Sequence, residues 1–144
     1  IELVGIPGTS SARDRGKGFN EVIAKYAGIQ VVARQTANYN RAEGLTVMEN
    51  LLQAHPDINA VFAHNDEMAL GAIEAIKAAG KLKDIIVVGF DATPDALESV
   101  KRGELSATIA QQPYRMGELA VEKANEYLQT GTIYFPVDLQ LVTK

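Results

Sequence analysis

Short apolar runs alternate with amphipathic segments along the chain. Five runs of four or five residues are rich in Val, Ile, Leu and Ala, a composition typical of buried strands. These predicted strands cover residues 1–4, 29–33, 60–63, 85–88 and 107–110. A further extended segment is predicted from about residue 135 to residue 142.

Between the runs, apolar residues recur every three or four positions, which is the period of a helix with one buried face. Such helices are predicted over residues 12–26, 41–54, 67–79 and 113–128. A shorter helix is predicted to begin at Pro94, because proline is favoured in a first turn, and to stop at Gly103.

Strands that alternate with helices predict a parallel sheet covered on both faces. With right-handed crossovers, the expected α/β fold is a doubly wound open parallel sheet of the flavodoxin-like type. The chain has 144 residues and is 47% apolar, which is enough for one compact domain with a core of its own.

Composition narrows the possible functions. The chain has 14 Lys and Arg against 18 Asp and Glu, and this net charge of −4 disfavours a nucleic-acid surface. No apolar run approaches the roughly 20 residues that a membrane span needs, and there are no cysteines. The sequence opens directly on a strand without an initiator Met, so we expect the natural polypeptide to begin earlier.

Polar residues follow the predicted strands at the points where ligands bind in open α/β sheets, beyond the carboxyl ends. Arg15 lies in the first helix, and Tyr39, Asn65, Asp91 and Gln111 come after the second to fifth strands. We therefore predict one cleft lined by these five side chains. Planar groups that donate and accept several hydrogen bonds suit a small polyhydroxylated ligand such as a sugar.

Each of these residues also has a simpler structural interpretation. Asp91 could cap a turn, Arg15 could be a solvated helix residue, Gln111 could satisfy loop backbone, and Tyr39 could pack at the edge of the core. Because Asn and Asp are favoured N-caps, we expect one residue of the Asn65-Asp66 pair to cap the helix that starts at Glu67. Asp66 is the predicted cap, Asn65 is the predicted ligand contact, and His64 is given no role.

Catalytic and metal sites find little support in the sequence. The glycines at 5 and 8 match neither the Walker A nor the dinucleotide-binding pattern, and no nucleophile arrangement is present. Asp66, Glu67 and Asp91 could in principle hold Mg²⁺, but Glu67 is expected to face solvent. We therefore predict no enzyme activity, no catalytic residue, no metal and no cofactor.

Several strings of residues together resemble the bacterial periplasmic ribose-binding proteins. These strings are GTSSARDRGKGF, QAHPD, FAHNDEMALGA, VGFD, ATIAQ and, near the end, YFPVDL. The NDEMALGA string is shared with wider relatives, including the effector domains of LacI-type repressors. The RDRGKGF and TIAQ strings narrow the resemblance towards ribose.

This resemblance implies one lobe of a periplasmic-binding-protein type I fold, in which two α/β lobes joined by hinge strands enclose the sugar. Residues 1–111 resemble the C-terminal lobe, truncated at its start. Residues 112–144 resemble the hinge, the crossover helix and a tail that packs partly on the missing N-terminal lobe. By motif match, the same five residues are sugar contacts, although Tyr39 stands where the family usually has Phe.

The function implied by the resemblance is recognition of D-ribose or a closely related sugar for an ABC-type importer, outside the cytoplasm. The partners would be the transporter permease and a chemoreceptor. The alternative is the effector-binding domain of a LacI-type repressor. Half a site should bind ribose weakly or undetectably. A tail helix that exposes Met116, Leu119, Ala120 and Tyr127 favours a homodimer or a repositioned tail.

Overall fold

The computed structural model describes residues 1–131 and 137–143. Strands and helices alternate strictly over these residues. In chain order they are β1 (Glu2–Val4), α1 (Ser10–Ile23), β2 (Arg34–Thr36), α2 (Arg41–Ala54), β3 (Ala60–Ala63), α3 (Asp66–Ala78), β4 (Ile86–Asp91), α4 (Pro94–Arg102), β5 (Ala107–Ala110), α5 (Pro113–Thr130) and β6 (Gln140–Thr143).

The strands form one sheet in the order β2-β1-β3-β4-β5-β6. The first five strands are parallel, and β6 pairs with β5 in the antiparallel sense. The predicted α/β fold with an open parallel sheet is confirmed, with one antiparallel edge strand added. Part of the predicted final segment, residues 135–136, lies outside the described residues.

The second strand lies further along the chain than predicted. Residues 29–33 are irregular, and β2 is formed by the polar segment Arg34–Thr36. In the observed register Glu2 lies opposite Arg34, so residues 29–32 extend beyond Ile1 and have no β1 residue beside them. Because β2 is an edge strand, charged and polar residues are tolerated there. Apolar content therefore did not identify the residues that form this strand.

The two faces of the sheet carry different helices. Phe19 of α1 stacks on Phe62 of β3 with ring centroids 4.7 Å apart, which places α1 on the face of Phe62 and its partner Val88. Gly89 points to the opposite face, where a Cβ would lie 3.3 Å from the Cβ of Ala69 in α3. The sheet is therefore covered from both sides, as doubly wound folds require.

The hydrophobic core lies between the sheet and α2 and α3. Its largest fully buried apolar side chains come from these layers and from the loop before β5: Leu3, Met48, Val61, Met68, Ile73, Ile76, Val87 and Leu105. Glycines let α2 and α3 approach closely, because a Cβ at Gly71 would overlap the carbonyl oxygen of Arg41 and lie 2.7 Å from the backbone nitrogen of Leu45.

The face that carries α1 is covered less completely. Ile86 of β4 is 57% exposed, and Val22 in α1 and Tyr26 just after it are exposed as well. An apolar hollow of about 890 Å³ lies on this side, and Phe19 of α1 and Phe62 of β3 are among the residues that line it. Within the described residues, no helix combines the length and the apolar character that crossing a membrane requires.

We expect Gly71→Ala to lower the free energy of unfolding by about 1–3 kcal/mol, because the added methyl group would push α2 and α3 apart. The matched control is Gly18→Ala in α1, where no atom lies within 4 Å of the added Cβ. That change should raise stability by about 0.5–1 kcal/mol, since alanine favours helix over glycine. Urea denaturation followed by circular dichroism measures both, and equal effects would contradict the close approach of the helices.

Candidate functional site

The five predicted site residues lie at one edge of the sheet. Arg15 is in the second turn of α1, Tyr39 is between β2 and α2, and Asn65 is between β3 and α3. Asp91 ends β4, and Gln111 follows β5 directly. Because parallel strands end at a common edge, residues far apart in sequence converge there.

Arg15 is held on three sides. Its Nη1 donates to the carbonyl oxygen of His64 at 2.6 Å, and its Cζ lies 3.8 Å from the ring centroid of Phe90, a cation–π contact. Its Nη2 is 3.6 Å from Oδ1 of Asp91, which makes a loose ion pair. The side chain is only 17% exposed, so the interpretation of Arg15 as a solvated helix residue is wrong.

Asp91 carries a carboxylate in an unfavourable environment. Burial raises the pKa of Asp91 above its usual value, and this effect outweighs the hydrogen bond from Gln111 and the charge of Arg15, which both lower it. The nearby charges of Asp66 and Glu67 raise this pKa further. The side chain of Gln111 donates to Asp91 through Nε2, so it does more than satisfy loop backbone.

The backbone around Asp91 is strained. Asp91 has φ 123° and Ala92 has φ 56°, values that side-chain-bearing residues adopt rarely. The amide of Ala92 donates to the hydroxyl of Thr108 at 3.2 Å. Thr93, whose Oγ1 accepts from the amide of Ala96, caps α4, so the interpretation of Asp91 as a turn cap is wrong.

Asn65 is the N-cap of α3, and the prediction that Asp66 has this role is wrong. The Asn65 backbone is extended, and its Oδ1 accepts from the amide of Met68 at 3.0 Å. Its Nδ2 donates to the carbonyl oxygen of Tyr39 at 3.3 Å. A side-chain amide has two oxygen lone pairs and two N–H donors. Asn65 can therefore cap the helix and still offer one lone pair and one N–H to a ligand.

Asp66 is fully buried as the first residue of α3. Its carboxylate accepts from the hydroxyl of Thr108 at 2.7 Å and from the amide of Thr93 at 2.8 Å. The helix begins one residue earlier than predicted, and this turns Asp66 inward between β5 and the start of α4. Its role is to join three elements.

Tyr39 forms a wall of the site. Its φ is 59°, and its ring lies so close to the first loop that a Cβ at Gly5 would overlap it. The phenol oxygen hydrogen-bonds with the hydroxyl of Ser11 at 2.9 Å, and the ring centroid lies 5.9 Å from Cζ of Arg15. A role in stacking on a sugar ring stays a prediction.

His64 was given no role from the sequence, yet it is fully buried. Its Nε2 lies 3.0 Å from Oε1 of Glu2, and its Nδ1 accepts from the amide of Gly5 at 3.3 Å. The available signal was Glu2 itself, because a carboxylate inside an apolar strand needs a buried partner.

The three acidic residues weighed as Mg²⁺ ligands do not converge. Asp66 is engaged by two threonines, and Glu67 forms an ion pair with Arg41 at 2.8 Å. Across residues 1–131 and 137–143, no cluster of three or more His, Asp and Glu residues is arranged to hold a metal ion.

Comparison with known proteins identifies the family. The model of the periplasmic binding protein domain matches residues 1–132. The chain belongs to the periplasmic binding protein family. It is 58% identical over 143 residues to the ribose import binding protein RbsB of Bacillus subtilis, covering 96% of this chain and 46% of that protein. It is 53% identical over 146 aligned positions to RbsB of Escherichia coli, covering all of this chain and 49% of that protein.

Solved structures of the family have the same fold. A periplasmic solute binding protein of an ABC transporter from Actinobacillus succinogenes, with bound D-allose, gives a TM-score of 0.92 at 38% identity, covering 99% of this chain and 51% of that one. A periplasmic ribose ABC transporter protein from Conexibacter woesei gives a TM-score of 0.85 at 33% identity, and the match covers 96% of this chain and 48% of that one. The chain therefore spans about half the length of the relatives that it matches.

The pKa of Asp91 generates a prediction about pH. A carboxyl whose pKa is higher in the folded state contributes stability below its unfolded value of 3.8, and this contribution is lost as the pH rises through the folded-state pKa. We therefore expect Asp91→Asn to become more stable relative to the parent as the pH rises from below 3.8 towards neutrality. Urea denaturation at a series of pH values measures the difference.

Asp14→Asn is the matched control, because the pKa of this exposed aspartate is lowered by a hydrogen bond from Arg13. Its contribution is present at neutral pH and lost on acidification, so the difference from the parent should move in the opposite direction. A pH-independent difference for Asp91→Asn would contradict the raised pKa.

Proposed function

We propose that this chain is the sugar-recognising half of a solute-binding protein for an ABC-type importer, with D-ribose or a close relative as ligand. The contact between Arg15, Asp91 and Gln111 at the sheet edge is the observation that carries the proposal. Three planar polar groups from three separate elements converge there. One of them is a partly buried carboxylate whose present partners do not offset its burial.

A sugar supplies what this carboxylate lacks. Two neighbouring hydroxyls can donate to Asp91, and Arg15 and Gln111 can donate to the same or adjacent hydroxyl oxygens. Hydrogen bonds to a carboxylate favour its ionised form, so sugar binding should lower the pKa of Asp91. Asn65 offers one further donor and acceptor, and the ring of Tyr39 offers an apolar surface for C–H groups.

The choice of ribose depends on the sequence relatives. Relatives that are 53–58% identical to this chain are named as ribose import binding proteins. Structures at 38–40% identity are described with D-allose, myo-inositol and L-arabinofuranose bound. These ligands share adjacent ring hydroxyls, so the site chemistry supports a cyclic polyol and the sequence identity favours ribose among them.

The whole protein is proposed to have two lobes. Residues 1–111 would form the lobe described here, and residues 112–144 would form the hinge, α5 and a tail that packs only partly on the other lobe, since β6 pairs with β5 of this lobe. Closure of the lobes over the sugar, a hinge motion, would present the liganded form to a transporter permease and to a chemoreceptor. The protein would act outside the cytoplasm, as its relatives' family name implies, and would not be an enzyme.

A LacI-type repressor remains the alternative in principle, because the fold and the NDEMALGA string are shared. The relatives reported above are import binding proteins, and they give that alternative no support. A helix-turn-helix segment in the natural polypeptide would favour the repressor, and an export signal would favour the importer.

We expect the isolated 144-residue chain to bind D-ribose much more weakly than a two-lobed relative, because only one half of the contacts is present and nothing closes over the ligand. Calorimetry of this chain and of Bacillus subtilis RbsB in the same buffer measures the difference. Equal affinities would overturn the half-site interpretation.

We expect Arg15→Ala to weaken ribose binding by tenfold or more, since a hydrogen bond to a charged group contributes about 1.5–3 kcal/mol. The measurement is a ribose titration at high concentration, followed through backbone amide shifts at Asp91 and Gln111. Arg13→Ala is the matched control, because Arg13 is 67% exposed and pairs with its sequence neighbour Asp14. Equal effects, or shifts confined to the hollow beside Phe19, would argue against this site.

The surface of α5 generates a further expectation. Leu119 is buried, so the prediction that it is exposed was wrong, but Tyr127 and Leu128 are exposed and Tyr114 is 85% exposed. We propose that the other lobe covers this apolar surface in the whole protein and that a second copy covers it in the isolated chain.

Sedimentation velocity over a range of concentrations should therefore show a dimer of the isolated chain. Leu128→Lys should shift the equilibrium towards monomer, because it places a charge on the α5 surface. Val22→Lys, at an exposed apolar position on α1, should leave the equilibrium unchanged. A monomer at all concentrations would refute the proposal.

A further inference from the structure

Two ionisable side chains lie buried beneath the site and take no part in the proposed ligand contacts. Glu2 of β1 is 1% exposed and His64, directly after β3, is fully buried. Burying such groups is costly unless their hydrogen bonds are satisfied, and a buried pair is weak support for stability alone. Their presence calls for another explanation.

The geometry fixes the state of the His64 ring. The backbone amide of Gly5 can only donate, so Nδ1 of His64 is the acceptor of that 3.3 Å hydrogen bond. The ring proton is therefore on Nε2, which donates to Oε1 of Glu2 at 3.0 Å. His64 joins β1 to the loop that follows β1.

Glu2 is anchored in turn from two other elements. Nε of Arg34 in β2 donates to its Oε2 at 2.5 Å, and Nδ2 of Asn20 in α1 donates to the same oxygen at 3.2 Å. Burial alone would raise the pKa of Glu2, but the hydrogen bonds from His64, Arg34 and Asn20 prevail and lower it. Glu2 therefore remains a carboxylate that orients the His64 ring.

His64 contacts the site through both its ring and its backbone carbonyl oxygen. The ring of His64 holds the amide of Gly5, against which the ring of Tyr39 packs. The carbonyl oxygen of His64 accepts the 2.6 Å hydrogen bond from Arg15. A Cβ at Gly16 would lie 3.2 Å from both Glu2 and His64, so α1, which carries Arg15, rests directly on the pair.

We propose that His64, oriented by Glu2, is a positioning residue for ligand recognition. Its ring fixes the Gly5 loop and thereby the Tyr39 wall, while its carbonyl oxygen fixes the guanidinium of Arg15. The ligand role of this edge rests on the proposed function above, but the positioning of Arg15 can be measured without any ligand.

Two variants of the 144-residue chain test the proposal. Gln at position 64 can accept from the Gly5 amide and donate to Glu2, so His64→Gln should preserve the arrangement. His64→Leu fills similar space but can do neither. Ile76→Val is the matched control, because Ile76 is fully buried in the core and its apolar side chain can take part in none of these hydrogen bonds.

The ligand-free readout is the NMR signal of the Arg15 side-chain Nε–H together with the amide shifts of Gly5 and Tyr39. These should match the parent in His64→Gln and Ile76→Val, and change in His64→Leu. Ribose affinity should fall tenfold or more in His64→Leu and stay within about threefold of the parent in His64→Gln. Unchanged Arg15 signals and affinity in His64→Leu would overturn the proposal.

A measurement on the parent chain covers the case in which His64→Leu does not fold. Nitrogen-15 spectra of the His64 imidazole should show an unprotonated Nδ1 and a protonated Nε2. A proton on Nδ1 would exclude the hydrogen bond from Gly5 and refute the proposal. Undetectable sugar binding by the parent chain is compatible with a half site, and the Arg15 readout then decides the positioning role independently of the proposed function.

Discussion

The buried carboxylate of Asp66 is the constraint on which the candidate site depends. It receives hydrogen bonds from the hydroxyl of Thr108 and the amide of Thr93, and so joins the start of α3 to β5 and to the cap of α4. The same hydroxyl of Thr108 accepts from the amide of Ala92. The segment between β4 and α4 is therefore fixed at both ends, because unsatisfied polar groups at this depth would be costly.

This fixed segment explains how Asp91 can keep an unfavourable geometry. Its φ of 123° and that of Ala92 at 56° would relax in a free loop, and the surrounding hydrogen bonds prevent this. The carboxylate is thereby held close to Arg15 although burial raises its pKa. Under the proposed function, a ligand that donates hydrogen bonds to this carboxylate would offset its desolvation.

Arg15 is held in place by contacts other than its ion pair with Asp91. Its guanidinium lies on the ring of Phe90 and donates to the His64 carbonyl oxygen, so its orientation does not depend on the loose ion pair with Asp91. The Glu2–His64 pair beneath it joins β1, the first loop and α1. Order at the surface of the site thus originates in a buried polar network, since planar groups recognise hydroxyls only when their direction is fixed.

The errors of sequence interpretation have identifiable causes. Asn65 and Asp66 are both good N-cap residues, and a shift of one residue in the helix start decides which caps the helix and which is buried. The second strand was placed on the apolar residues 29–33, whereas pairing with β1 selects the polar edge segment Arg34–Thr36. Register depends on the partner strand, which no local pattern contains.

The sequence alone determined the order of strands and helices and the edge at which Arg15, Tyr39, Asn65, Asp91 and Gln111 lie, because hydrophobic period and chain polarity are local properties. Its motifs also indicated the family. Only the tertiary structure decided which of these polar groups touch, that Asp66 and His64 are buried supports, and that Asp91 is strained. Those outcomes depend on contacts between residues distant in the chain, where burial and hydrogen-bond geometry select one arrangement among many that the same local pattern allows.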